Sequence, residues 1–295
     1  MQVWPSQPRF GEISRPTHTV ETNRGASLLP GRSRFFSCPE LNNSRCHGTT
    51  HLASFELTRR QRPLGVIGGM GSLATAHFLE VLALKCGADR DQDHIPYVAL
   101  SLPDIPDRSL AISTGSDRPS RKILERARWL ESAGCGAIAI PCNTAHFWAP
   151  QLKQRLTITL IDLIDATTRA IREQYRHKLP TLRLILLGTN ATMEHNLFRE
   201  GIGSSPANDP AQDLHDLKEE AATLISDVKS GRIVKARRNL SRMIRGIRAS
   251  YNPDVIVLGC SELSAISGNL SDDEDVIDPI DILAGASIAW WRRNR

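Results

Sequence analysis

Two cysteines stand in settings suited to proton chemistry: Cys142 within I-P-C-N-T-A-H (Ile140 to His146) and Cys260 within L-G-C-S-E-L (Leu258 to Leu263). Each follows a short apolar run of the buried-strand kind and precedes residues able to start a helix. A thiol with its ordinary pKa of ~8.5 sits near working pH and can act as acid or base. Only a few per cent is thiolate at neutral pH, so helix N-termini or nearby cations are expected to stabilise the anion.

Two such groups facing one carbon define a reaction. Racemising an amino acid requires one group to take the α-proton from one face while the other delivers a proton to the opposite face. One must be thiolate and the other thiol.

The elements that must position them repeat once. Leu64 to Ile67 is an apolar strand that runs into Gly68, Gly69 and Gly71 and then a helical pattern, a place where backbone N–H groups can meet an anion. The glycine order is not G-x-G-x-x-G, and no G-x-x-x-x-G-K-[ST] loop occurs, which argues against a dinucleotide or nucleotide. Glycine's permissive backbone also accounts for such a turn with no ligand. Strands are expected at Tyr97 to Leu100, Ala137 to Ile140, Leu182 to Leu187 and Asp254 to Leu258. Helices are expected at Arg118 to Ser132, Asp213 to Lys229, Val234 to Arg248 and Pro279 to Arg292.

Gly68 precedes Cys142 by 74 residues, and Gly188 precedes Cys260 by 72. Two halves of one design follow, each with a mainly parallel sheet and ligands at the carboxyl ends of its strands. If the halves pack face to face, the two thiols meet across one cleft. The expected class is therefore α/β, with two similar, pseudo-twofold related domains. The divisions are residues 1–60 as a leader or disordered extension, 61–165 as the first half, 166–275 as the second, and 276–295 as a C-terminal helix returning to the first.

Charge narrows the partners. Residues 1–60 hold eight Arg, no Lys and four Glu, whereas the remainder holds 29 basic and 28 acidic residues. The balanced part shows no clustered basic stripe, so nucleic acid is not an expected partner. No apolar run is long enough to span a bilayer, so a membrane role is not expected either. The leader suits a transit peptide, a disordered tail or a misassigned start, making the expected location cytoplasmic, or organellar if it is a transit peptide. Cys86 and Cys135 read as packing residues. Cys142 and His146 have the i, i+4 spacing of a metal pair but no further ligand set, so no metal is expected.

Beyond these readings, the sequence resembles the aspartate racemases of the cofactor-independent Asp/Glu racemase superfamily. The resemblance rests on I-G-G-M-G (Ile67 to Gly71), R-D-Q-D-H-I-P (Arg90 to Pro96), I-P-D-R (Ile105 to Arg108), the two cysteine motifs and V-I-D-P (Val276 to Pro279), in that order. It implies no pyridoxal phosphate, no metal, commonly a homodimer, and Cys142 and Cys260 as proton carriers. Asn143, Thr144 and Ser261 would hold the substrate α-carboxylate, Arg108 and Lys229 its second carboxylate, and Met70 and Gly71 one wall. Ser72 replaces the usual Pro and Ser261 the usual Thr. L-G-T-N-A-T-M-E (Leu187 to Glu194) departs from the common turn, leaving Thr189 and Thr192 both as possible ligands. Glutamate or broader amino-acid racemisation, maleate isomerisation and arylmalonate decarboxylation are sister activities. A dicarboxylate-binding sensor is the non-enzymatic alternative, against which both cysteine motifs speak.

Overall fold

Strands that are apolar on both faces must be covered on both faces, and that requirement organises the protein. A computed structural model describes residues 62–195, 197–202, 215–268, 270 and 273–295. The expected leader lies outside the described residues.

The chain runs β1 (Leu64–Gly68), α1 (Ser72–Cys86), β2 (Tyr97–Ser101), α2 (Arg108–Ser113), α3 (Arg118–Ser132), β3 (Ala137–Ala139), α4 (Ala149–Lys153), β4 (Thr159–Ile161) and α5 (Leu163–Gln174). It continues through β5 (Leu184–Gly188), α6 (Asn190–Glu194), α7 (Arg199–Ile202), α8 (His215–Lys229) and α9 (Ile233–Tyr251). It closes with β6 (Val255–Gly259), α10 (Ser261–Ser267), β7 (Val276–Ile277) and α11 (Pro279–Asn294). The first sheet has the order β2-β1-β3-β4 and the second β5-β6-β7, and every pairing is parallel. The α/β class with parallel sheets is therefore as the sequence implied.

Alternation along the strands divides the core. Leu64, Val66, Ala137 and Ala139 of the first sheet and Leu184, Leu186, Val255 and Val257 of the second share one apolar cluster with Phe78, Leu82, Ile171, Leu283 and Ile288 of α1, α5 and α11. The opposite face of the second sheet, with Ile185, Leu187, Ile256 and Leu258, packs on α8 and α9 through Leu224, Leu240 and Ile244. The opposite face of the first, with Ile67 and Ile138, packs on α3 through Ile123, Ala127 and Leu130. Each fully buried Leu or Ile contributes about 1.5–3 kcal/mol before the entropy of ordering it is counted.

Several ends follow from local chemistry. Asp278 caps α11 by accepting from Ile280 N at 2.8 Å, with Pro279 in the first turn. Helix α3 ends with Gly134 at φ +88°, Cys135 N bonding to Leu130 O at 3.0 Å, a left-handed closing turn that suits glycine. Helix α11 lies against α1 and α5. Lys85 pairs with Asp281 at 2.5 Å, and Arg292 donates to Cys86 O at 2.9 Å. Trp290 and Trp291 both pack against the shared core.

One expectation needs correction. The balanced total hides a local excess: α9 contains Lys235, Arg237, Arg238, Arg242, Arg245 and Arg248 and no acidic residue, and all but Arg248 are exposed. The buried face of the amphipathic helix uses Ala236, Leu240, Met243, Ile244 and Ile247, which turns the cations outward together.

Candidate active site

Both motif cysteines follow a strand of their own sheet, as parallel α/β topology favours. β3 ends at Ala139, and Cys142 comes three residues later, before a 3₁₀ turn over Thr144–Trp148. β6 ends at Gly259, and Cys260 is the residue that caps α10. Both side chains are buried, and both line one cavity of about 290 Å³, together with Met70, Arg108, Asn143, Thr144, Thr189, Lys229 and Ser261. Counting Thr189 and setting aside its alternative Thr192, nine of the ten residues singled out from sequence thus share one cavity.

Gly71 is the exception. It lines a neighbouring cavity of about 770 Å³ with Ser72, Leu73, Ala74, Val228, Gly231 and Ile233. The turn bends away after Met70: Gly69 adopts φ +82°, and a Cβ there would lie 2.4 Å from Leu102 O, so only glycine fits. Thr75 fastens the turn by accepting from Gly69 N at 3.1 Å and donating to Gly71 O at 2.9 Å.

The thiols have different neighbours. Burial raises the Cys142 pKa, the Arg108 cation opposes that rise, and the Glu262 carboxylate adds to it. Burial also pushes Cys260 well above the ordinary thiol range, and Glu262 pushes in the same direction. The Cys260 thiol donates to Glu262 Oε2 at 3.0 Å. Of the helix N-termini or cations expected to favour a thiolate, the Arg108 cation acts on Cys142, whereas Cys260 caps the N-terminus of α10 beside the Glu262 carboxylate. Cys135, away from the cavity, is raised to about 11 by burial alone.

Arg108, the first residue of α2, donates to Ile105 O at 3.1 Å, Pro106 O at 2.9 Å and Met70 O at 3.3 Å. Asp107 caps the same helix by accepting from Leu110 N at 2.9 Å. Lys229, at the end of α8, is exposed, and neither it nor Arg108 has an ion pair among the described residues. The turn after Lys229 is tied down by buried Asp227, which accepts from Arg232 Nε at 2.7 Å and pairs with Lys235 at 3.1 Å.

Asn143 is 1% exposed, and neither its Oδ1 nor its Nδ2 has a partner among the described residues. An unpaired buried amide on a cavity wall is costly unless a ligand completes it. Three hydroxyls nearby complete one another: Thr144 to Thr189 at 3.1 Å, Thr144 to Thr192 at 3.0 Å and Thr189 to Thr192 at 3.0 Å. Thr189 lines the cavity whereas Thr192 is fully buried, which separates the two alternatives the sequence left open.

His146 is a satisfied histidine. Its Nε2 accepts from Leu163 N at 3.1 Å, so the proton is on Nδ1, which donates to Cys142 O at 2.9 Å. Both ring nitrogens are engaged and neither is available to a metal. Sequence reasoning missed Glu262, Asp107 and Ser109, all on the cavity wall. The signal for Glu262 was a carboxylate two residues after the motif thiol.

Two parallel sheets delivering a pair of buried thiols to one small cavity define a class of α/β protein in which proton transfer on both faces of a carbon is available. The chain belongs to the Asp/Glu/Hydantoin racemase family, which matches residues 67–286. It is 30% identical to an aspartate racemase of Picrophilus torridus, covering 78% of this chain and 94% of that one with a TM-score of 0.65. A broad-specificity amino-acid racemase of Bacillus subtilis (strain 168) is 23% identical over 232 residues, 77% of this chain and 96% of the relative. A glutamate racemase of Bacillus anthracis shares the fold at 14% identity and a TM-score of 0.53, over 79% of this chain and 83% of that one. No helix among the described residues is long and apolar enough to cross a membrane.

Proposed function

We propose that this racemase interconverts L- and D-aspartate by cofactor-independent proton transfer, with Cys142 and Cys260 as the two bases. The observation that carries the reading is that two thiols from different sheets line one cavity. The α-C–H bond breaks toward one thiolate, the electron pair delocalises into the α-carboxylate, and the opposite thiol gives its proton to the other face. No electron acceptor is needed.

The neighbours rank the two thiols: burial raises both, Arg108 opposes the rise at Cys142 and Glu262 adds to it at Cys260, so Cys142 is the more acidic of the pair. The unpaired Asn143 amide, with Thr144, Thr189 and Ser261, is suited to the substrate's α-carboxylate or ammonium. Asp107 is committed to its helix cap and Glu262 Oε2 to Cys260, leaving Arg108 and Lys229 as unpaired charges for a second carboxylate. One observation favours a broader range: the larger neighbouring cavity shares Lys229 with this one and could take longer side chains.

The test is a chiral chromatography assay of L-Asp, D-Asp, L-Glu and D-Glu without added cofactor, followed by single substitutions in deuterated water. Cys142→Ala and Cys260→Ala should each lose racemisation by several orders of magnitude, with any residual α-proton exchange favouring opposite enantiomers in the two variants. Near-normal racemisation by either, or activity only with added pyridoxal phosphate or metal, overturns the pair.

A further inference from the structure

A two-thiol racemase has a bookkeeping problem that its chemistry does not solve. After each one-way turnover the thiol and thiolate have exchanged places, and the free enzyme must return one proton and recover another before repeating the same direction. Cys142 and Cys260 are both buried, 5% and 4% exposed. A route for protons to and from solvent is therefore needed.

Glu262 stands where such a route would run. It is 4% exposed, its Oε2 accepts from the Cys260 thiol at 3.0 Å, and its Oε1 is buried without a partner among the described residues. A Cβ on Gly71 would lie 3.1 Å from Oε1, so the free oxygen is turned toward a residue of the larger cavity's wall. Among the described residues only Glu262 and Lys229 line both cavities, and an ammonium offers donors but no acceptor. A buried carboxylate oxygen left unpaired is costly, and water in the larger cavity would satisfy it.

We propose that Glu262 is the proton relay between Cys260 and solvent in the cavity of about 770 Å³. The Cys260 S–H bond breaks and its proton bonds to Oε2, leaving a thiolate and a neutral carboxyl. Rotation of the carboxyl presents the O–H to the larger cavity, where water takes the proton and restores the carboxylate. The reverse sequence recharges the thiol. The small side of the turn at Gly71 leaves the carboxyl room to rotate. The proposal rests on the two-cysteine reading for its purpose but not for its test.

The test follows the Cys260 S–H proton directly. The thiol stretching band, isolated by difference against Cys260→Ala, is monitored after mixing protein into deuterated water. Exchange should slow by roughly tenfold or more in Glu262→Gln, which keeps the shape of the side chain and removes its basicity. Gly71→Ala, crowding Oε1 from the other side, should slow it in the same sense if the Gln variant folds poorly. Equal exchange rates in the original protein and the folded variants overturn the relay. With aspartate, Glu262→Gln should lose more of its net one-way turnover at saturation than of its tracer exchange between enantiomers at equilibrium, which needs no reset. Equal losses overturn the relay and leave Glu262 as a residue that only tunes Cys260. A protein that exchanges its Cys260 proton through Glu262 yet racemises no amino acid sustains the relay and refutes the two-cysteine reading.

Discussion

The imidazole of His146 holds the backbone of Cys142: Nδ1 donates to the Cys142 carbonyl at 2.9 Å while Nε2 receives Leu163 N–H at 3.1 Å, tying the thiol's segment to the start of α5. Burial lowers the His146 pKa below the ordinary 6.5, against the opposing pull of Asp162. The unfolded chain therefore binds this proton more readily than the folded one. The contribution is fully present above about pH 6.5 and is lost as pH falls from there toward the folded value. Urea unfolding between about pH 7.5 and pH 5 should show declining stability. His146→Gln should flatten that slope, and an unchanged slope would mean another group controls it.

Lys229 and Arg108 should separate binding from folding. Lys229 is exposed and has no ion pair among the described residues, so Lys229→Ala should leave the melting temperature nearly unchanged while lowering kcat/KM for aspartate roughly ten- to a hundredfold, the worth of one charge-assisted contact. Arg108→Ala should cost stability as well, because the carbonyls of Ile105, Pro106 and Met70 lose their donor. Unaltered kinetics in both variants would remove the two cations from the site.

Asp227 acts at one remove from the cavity. It fastens the turn that begins at Lys229 through Arg232 and Lys235, and Gly231 in that turn has φ +76°. Asp227→Asn should raise KM for aspartate more than it lowers kcat and should lower the melting temperature. An effect on kcat alone would point to a different role.

How much of this was legible beforehand depends on the residue. Cys142 and Cys260 were legible because apolar runs, glycines and spacing all specify strand ends, and parallel sheets place such ends together. Glu262 was not, although it lies in the same motif as Cys260. A carboxylate in the first turn of a helix ordinarily faces water, but here α10 packs against α1 with Gly71 beside Oε1, a contact no local pattern encodes. The family resemblance implies Gly71 and Met70 on one wall of the site, but the positive φ of Gly69 turns the chain so that consecutive residues face different spaces. The exposed cations of α9 escaped notice because a summed charge carries no directional information.

Thr192→Val tests the hydroxyl cluster. Thr192 is fully buried, and the substitution keeps its shape while removing its bonds to Thr144 and Thr189, which remain 3.1 Å apart. A loss of about 1 kcal/mol is expected in chemical denaturation. No loss would mean that the pair closes on itself without the third hydroxyl.

Three hydroxyls carry three protons, and a closed ring of three bonds uses them all. Thr144 belongs to the turn after β3, while Thr189 and Thr192 follow β5, so the ring joins segments that issue from different sheets. A carboxylate offers acceptors only and could dock on Thr144 and Thr189 only by drawing protons out of that ring. The anion would then become the link between the two segments that the hydroxyls had been. Cohesion between the two segments and their grip on a ligand draw on the same three protons, so strengthening one by substitution should weaken the other.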